Sequence, residues 1–115
     1  MRLIKSFRNA SRGVVHVWQS QPNFRIQVVA AIVVVIVMFV FRVPPWQKVT
    51  LLLLVMTVLV LEIINTVFEH LVDLFEPRLH HYVRDIKDLM AAAVLLSSLV
   101  AVGVALVIFW PLVIS

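Results

Sequence analysis

Apolar residues dominate this chain in three long runs interrupted by few polar positions. The first runs from about Phe24 to Val43 and stops at Pro44-Pro45, a pair that breaks a helix and turns the chain. The second runs from about Val49 to Phe75 and the third from about Leu89 to Ile114. Each is close to the ~20 residues a helix needs to cross a hydrocarbon core of ~30 Å. The pattern predicts transmembrane helices over 24–43, 49–75 and 89–114, with the last turns of the second emerging into the headgroup region. Ahead of them, Arg2, Lys5, Arg8 and Arg12 form a basic stripe, while Leu3, Phe7, Ala10, Val14 and Val17 form an apolar one. That spacing predicts an amphipathic helix over 2–21 lying in the interface. Pro22 ends it and lets the chain turn into the first span.

The second run departs from its own pattern at Glu62, Asn65, Glu69 and Asp73. At ~100° per residue, their spacing places all four within about 80° of arc on one helix face. The residues before them, Val49 to Leu61, are almost wholly aliphatic. A carboxylate at membrane depth is costly, and its default reading is functional. Three thin spans enclose little volume, so a lone subunit is expected to leave the Glu62 face open to lipid. The expectation is therefore a homo-oligomer in which other helices cover that face. The Ala91-Ala92-Ala93 run suits close approach of a neighbouring backbone.

Composition agrees. The chain has 115 residues, 63% of them hydrophobic, and a mean hydropathy of +1.07, against roughly 45–50% apolar residues in a soluble domain. With no cysteine it has neither a disulfide nor a thiolate metal site. The net charge of +4 comes from basic residues that flank the spans, which favours a membrane surface over nucleic acid as partner. Arg2, Lys5, Arg8, Arg12 and Arg25 lie before or at the first span, and Arg78, Arg84 and Lys87 lie between the second and third. Arg42 and Lys48 alone occupy the first loop. That bias puts the N-terminus and the second loop in the cytoplasm. Trp18 then marks the inner interface, and Trp46 and Trp110 the outer one. The N-terminal segment lacks an unbroken apolar core of signal-peptide length, so the spans are expected to serve as their own targeting signals. One membrane domain, 1–115, accounts for the whole chain.

Glu62 is the deepest carboxylate, and apolar surroundings suit it to act as a general base or acid. Glu69, ~10.5 Å further along the helix axis, lies at a level where it could hold Mg²⁺, which prefers carboxylate and phosphate oxygens. Asn65 between them offers a donor and an acceptor. The plainer alternative is that these groups only seal a helix interface. Lys87 and Asp88 begin the third span on the same side; a Lys can contact phosphate and an Asp can hold a ribose hydroxyl, a Lys or a metal. Ordinary snorkelling and charge balance would also explain them. His80 and His81 are adjacent and point apart, unlike a helical zinc pair, and His16 and His70 read as interfacial. The only glycines are Gly13 and Gly103, so there is no Gly-rich phosphate loop.

These residues carry a resemblance. Glu62-Ile63-Ile64-Asn65-Thr66, then Glu69, Asp73, His80, and Lys87-Asp88 followed by Ala91, Ala93, Val94 and Leu95 resemble the small prokaryotic diacylglycerol kinases, a family that includes the undecaprenol kinases. Ser6-Phe7, Asn9-Ala10, Gly13 and Asn23-Phe24-Arg25 extend the likeness, which covers Arg2 to about Ala105. It implies an all-α integral membrane protein of the bacterial cytoplasmic membrane: a trimer of three-span subunits with interfacial N-terminal helices and sites between neighbours. It further implies Mg²⁺- and ATP-dependent phosphorylation of a lipid alcohol at the cytoplasmic face. By motif, Glu62 is the general base and Glu69 the ligand of the Mg²⁺ on ATP. Asn65, Lys87 and Asp88 position phosphates and ribose, with Arg2, Asn9 and His80 helping at the nucleotide. Ile64-Asn65-Thr66 and Val72-Asp73-Leu74 lean towards the undecaprenol branch over diacylglycerol.

One position departs from the family pattern. A Glu that serves as second metal ligand usually stands four residues before the Arg of the Asn-hydrophobic-Arg stretch, where this chain has Gln21. An amide oxygen coordinates Mg²⁺ without charge, so metal affinity should fall unless Asp88 or a water compensates. An impaired homologue acting as a lipid- or nucleotide-binding scaffold is the alternative. An ion- or proton-handling subunit is a third reading, but it needs polar residues continuing outward, and Val49 to Leu61 offers only Thr50 and Thr57.

Overall fold

The computed structural model describes residues 1–78 and 80–114, all helix and short connections. Four helices follow in order: α1 (Arg2–Ser20), α2 (Pro22–Val40), α3 (Pro45–Asp73) and α4 (His80–Ile114). The last three are long and apolar enough to cross a membrane, with mean hydropathies of 2.4, 2.5 and 2.7. Leu53, Leu96, Val107 and Val113 on their outer surfaces are each at least 63% exposed. Large apolar side chains presented outward in such numbers call for lipid as solvent.

Prolines separate the first three helices. Pro22 disfavours helical backbone at the preceding residue, and Gln21 is extended at φ −120°, ψ 102°. Its backbone still serves both neighbours: its N–H donates to Val17 O at 2.9 Å, and its carbonyl accepts from Phe24 N at 3.1 Å. The chain therefore turns from α1 into α2 without a loop. At the far end of α2, Val43 N–H reaches back to Met38 O at 3.2 Å, a six-residue closure that requires left-handed backbone just past the helix. Arg42 supplies it, at φ 53°.

The first span ends at Val40, before the expected Val43, because Phe41 and Arg42 form this turn. The third differs more. Hydropathy places its start at Leu89, whereas α4 begins at His80. Charged residues such as Arg84, Asp85, Lys87 and Asp88 lower hydropathy but are tolerated in a helix, so the helix projects beyond its apolar part.

Helices α2 and α4 each run antiparallel to α3. Met38, Val43 and Leu51 are at most 2% exposed and pack with Ile108, Phe109 and Leu112, which closes the end that carries Trp46 and Trp110. Trp18 and Glu69 lie towards the other end. The buried face of α3 carries Leu51, Val58, Glu62, Asn65, Thr66 and Val72, helical spacing along a single stripe. Burial of that stripe overturns one sequence expectation. Glu62 is 2% exposed, Asn65 7% and Thr66 3% within a single chain, so the subunit's own helices cover the face and no partner is needed for it. Ala91 and Ala92 remain exposed.

A side chain in left-handed backbone costs about 1–2 kcal/mol that glycine avoids, part of which returns as glycine's greater freedom when unfolded. Arg42→Gly is accordingly expected to stabilise the bundle by about 0.5–1 kcal/mol, read as a higher thermal unfolding midpoint in detergent. A lowered midpoint would show that the Arg42 side chain contributes more than its backbone costs.

Candidate active site

The polar stripe of α3 meets the α1–α2 junction. Asn65, one turn before Glu69 on the same face, donates from Nδ2 to Glu69 Oε1 at 3.0 Å. Gln21, held at the junction by its extended backbone, brings Nε2 to 3.5 Å from Glu69 Oε2. Both carboxylate oxygens of Glu69 therefore face amide groups, one from its own helix and one from 48 positions away in sequence. Thr66 donates to the backbone carbonyl of Glu62 at 3.0 Å, and Gln27 stands on α2, the neighbouring span.

The cluster is short of donors. Asn65 Oδ1 and Gln27 Oε1 are both buried without a hydrogen-bond partner among the described residues, and a buried acceptor left unpaired costs about 1–3 kcal/mol. The orphan oxygen of Asn65, on the amide that meets Glu69, suits a cation or a hydroxyl as guest. The Asn65 and Gln21 amides turn nitrogen to Glu69 here; turned over, they would add two oxygens to its carboxylate, a set of the kind a hard divalent cation such as Mg²⁺ takes. Its charge comes from Glu69 alone. The residues present therefore fit such an ion, with a weaker hold than two carboxylates would give.

Other expected site residues lie outside this cluster. Asp73 does not extend the Glu62–Glu69 group but pairs with Lys87 Nζ at 2.7 Å, tying α3 to α4. An ammonium has three donors, so Lys87 keeps two for other partners. His80 stands 3.7 Å from Glu76, and Asp88 is exposed. Arg2 and Asn9 lie on the exposed surface of α1; among the described residues neither pairs with Glu69. Thr50 and Thr57 donate to their own backbone, to Trp46 O at 2.9 Å and Leu53 O at 2.7 Å. Each hydroxyl proton is thus engaged within α3 itself.

Two features lay beyond sequence reasoning. Gln27 is the sole polar residue between Arg25 and Arg42, and a lone amide inside a span is a signal of its own. His16 and His70, read separately as interfacial, approach to 3.2 Å between their Nε2 atoms, with ring planes at 84°. They link α1 to α3 beside an apolar groove of about 970 Å³, whose walls include Gly13, Val17, Ile63, Thr66 and Val67.

Comparison with known proteins decides the family. The family model described as prokaryotic diacylglycerol kinase matches residues 8–109. The chain belongs to the prokaryotic diacylglycerol kinase family. It is 32% identical over 110 residues to an undecaprenol kinase of Bacillus subtilis, covering 96% of this chain and 89% of that relative. A diacylglycerol kinase of Escherichia coli K12 is 30% identical over 109 residues, with 95% and 89% covered. A Synechocystis diacylglycerol kinase is 33% identical over 114 residues, or 98% of this chain and 65% of that longer protein. The family is one of lipid kinases, and the three apolar helices agree with a membrane enzyme.

In this family member the imidazole contact is one of the few polar ties that hold α1 against α3. His16→Ala is expected to weaken that docking by about 1 kcal/mol. Amide hydrogen exchange along α1 should then quicken roughly fivefold while α3 stays unchanged; equal protection in both proteins would show that the pair does not anchor the helix.

Proposed function

We propose that this family member transfers the γ-phosphoryl group of ATP to the hydroxyl of a membrane lipid alcohol, undecaprenol or diacylglycerol. The site would lie at the cytoplasmic face of the bacterial inner membrane, with the N-terminus and Lys87 inside, α1 in the interface and the subunit in a trimer. The observation that carries this reading is Glu62, a carboxyl 2% exposed among apolar helices, beside an acceptor-rich cluster. In the step, Glu62 takes the proton from the lipid hydroxyl. The lipid oxygen bonds to the γ-phosphorus as the bond to the β–γ bridging oxygen breaks, and ADP leaves with that electron pair. Glu69, with the Asn65 and Gln21 oxygens, would hold Mg²⁺, which when bound offsets phosphate charge. Lys87 and Asp88 position phosphates and ribose, with Arg2, Asn9 and His80 at the nucleotide; the α1–α3 groove offers room for the lipid's apolar body. Phosphoryl transfer is mostly positioning and charge stabilisation, so these groups suffice.

Purified protein given Mg²⁺, labelled ATP and each lipid separately should pass label to one of them. Glu62→Gln should lower that transfer about 10²- to 10⁴-fold, the usual range for a general base, with the fold intact by thermal unfolding. Retained turnover would refute the assignment of the base.

Gln21 favours a second reading, a nucleotide- or lipid-binding scaffold that turns over slowly. Gln21→Glu adds a carboxylate beside Glu69 and is expected to lower the Mg²⁺ concentration for half-maximal transfer about tenfold. Label from Gln21→Glu alone, with none from the wild type, would establish the scaffold reading. An unchanged Mg²⁺ requirement would remove Gln21 from the metal site.

A further inference from the structure

The geometry points to a transition-metal site between His16 of α1 and His70 of α3, where a divalent ion such as Zn²⁺ would pin the first helix to the bundle. Its ligands are not those of the oxygen set around Glu69, and it does not depend on the kinase reading. The chain has four histidines and no cysteine, so imidazole is the best ligand it offers such an ion. His80 and His81 do not converge, since their ring centroids are 6.3 Å apart at a tilt of 60°. His16 and His70 do. Their Nε2 atoms are 3.2 Å apart while their centroids are 5.4 Å apart, so the rings meet at their nitrogen tips.

That spacing fits an ion as well as a hydrogen bond. Two nitrogens bound at ~2.0–2.1 Å to one tetrahedral zinc lie about 3.3 Å from each other, so neither ring has to swing far. Both rings stay neutral in the exchange. The imidazole that donates gives up its Nε2 proton and carries one on Nδ1 instead, and both Nε2 lone pairs then face the ion. The backbone on each side is well anchored: Val17, next to His16, is 4% exposed, and Thr66, one turn before His70, is 3% exposed. The two histidines themselves are exposed, so an ion reaches them from water. Among the described residues no third His, Asp or Glu joins them; Asp73, which lines the same groove, is engaged by Lys87 at 2.7 Å. Water completes the coordination, as it does in open zinc sites. Two imidazole nitrogens suit zinc, nickel or copper and disfavour Mg²⁺, which prefers oxygen. The bound ion bridges residues 54 positions apart and fastens α1 over the groove it shares with α3.

Calorimetric titration of the purified protein with Zn²⁺, in detergent and with Mg²⁺ in excess to fill carboxylate sites, is expected to show one ion bound per chain. At a Zn²⁺ concentration about ten times the dissociation constant, amide exchange along α1 should slow about tenfold. His16→Gln and His70→Gln each keep an amide donor near the partner ring but lose a ligand. Each is expected to lower Zn²⁺ affinity at least about tenfold, since even a group that only hydrogen-bonds a ligand is worth about 10- to 100-fold. The metal-free unfolding midpoint should stay unchanged in both, and His81→Gln should bind as the wild type does. No Zn²⁺ binding by the wild type would overturn the inference. So would binding that survives in both His16→Gln and His70→Gln, which would place the ion on other groups. Zn²⁺ bound with α1 exchange unchanged would overturn the bridge between the helices. Loss of binding in both variants, with the metal-free bundle intact, supports it.

Discussion

Burial of the Glu62 carboxyl among aliphatic helices constrains everything around it. Moving such a group from water into an apolar bundle is expensive unless polar neighbours replace its hydration. The chain meets this by gathering its interior polar side chains into one band. Asn65 and Thr66 come from α3, and Gln21 from the junction with α1. The stripe of α3 that carries the band is also the stripe on which the other helices pack. Helix packing and solvation of the carboxyl are therefore one problem with one solution.

The two ends of the bundle are held by different forces. At the end carrying Trp46 and Trp110, Met38, Val43 and Leu51 pack with residues of α4 and leave almost no accessible surface. At the other, the ties are polar and partly exposed: His16 to His70, Gln21 to Glu69, Lys87 to Asp73. Surface ion pairs and single hydrogen bonds each contribute little. Mobility in a folded protein concentrates where buried apolar contact is sparse. The polar end is thus the less firmly held of the two, while the apolar end keeps the spans in register.

Charge within the site is also rationed. The oxygen set around Glu69 has a single carboxylate, and the two amides that flank it turn nitrogen towards it in this structure. A cation entering would reverse that preference, because an amide oxygen ligates where an amide nitrogen cannot. Gln21, Asn65 and Gln27 are all of this adaptable type, able to donate or accept by rotation. The interior of this family member thus carries several groups that suit either sign of guest and few that commit to one.

Much of the architecture was legible in the chain. Apolar runs of spanning length, Pro22 and Pro44-Pro45 at the breaks, and the common face of Glu62, Asn65 and Glu69 all follow from backbone geometry that acts over a few residues. Hydropathy marked the apolar part of α4 and not the whole helix, because a helix can continue on charged residues after its apolar part has ended. It misjudged what covers Glu62, since accessible surface depends on how neighbouring spans lean together. The pairing of His16 with His70, 54 positions apart, the meeting of Gln21 with Glu69, and the separation of Asp73 from its stripe by Lys87 were decided only by tertiary structure. Periodicity says which side chains share one helix face, but the crossing of two helices decides which atoms meet across it.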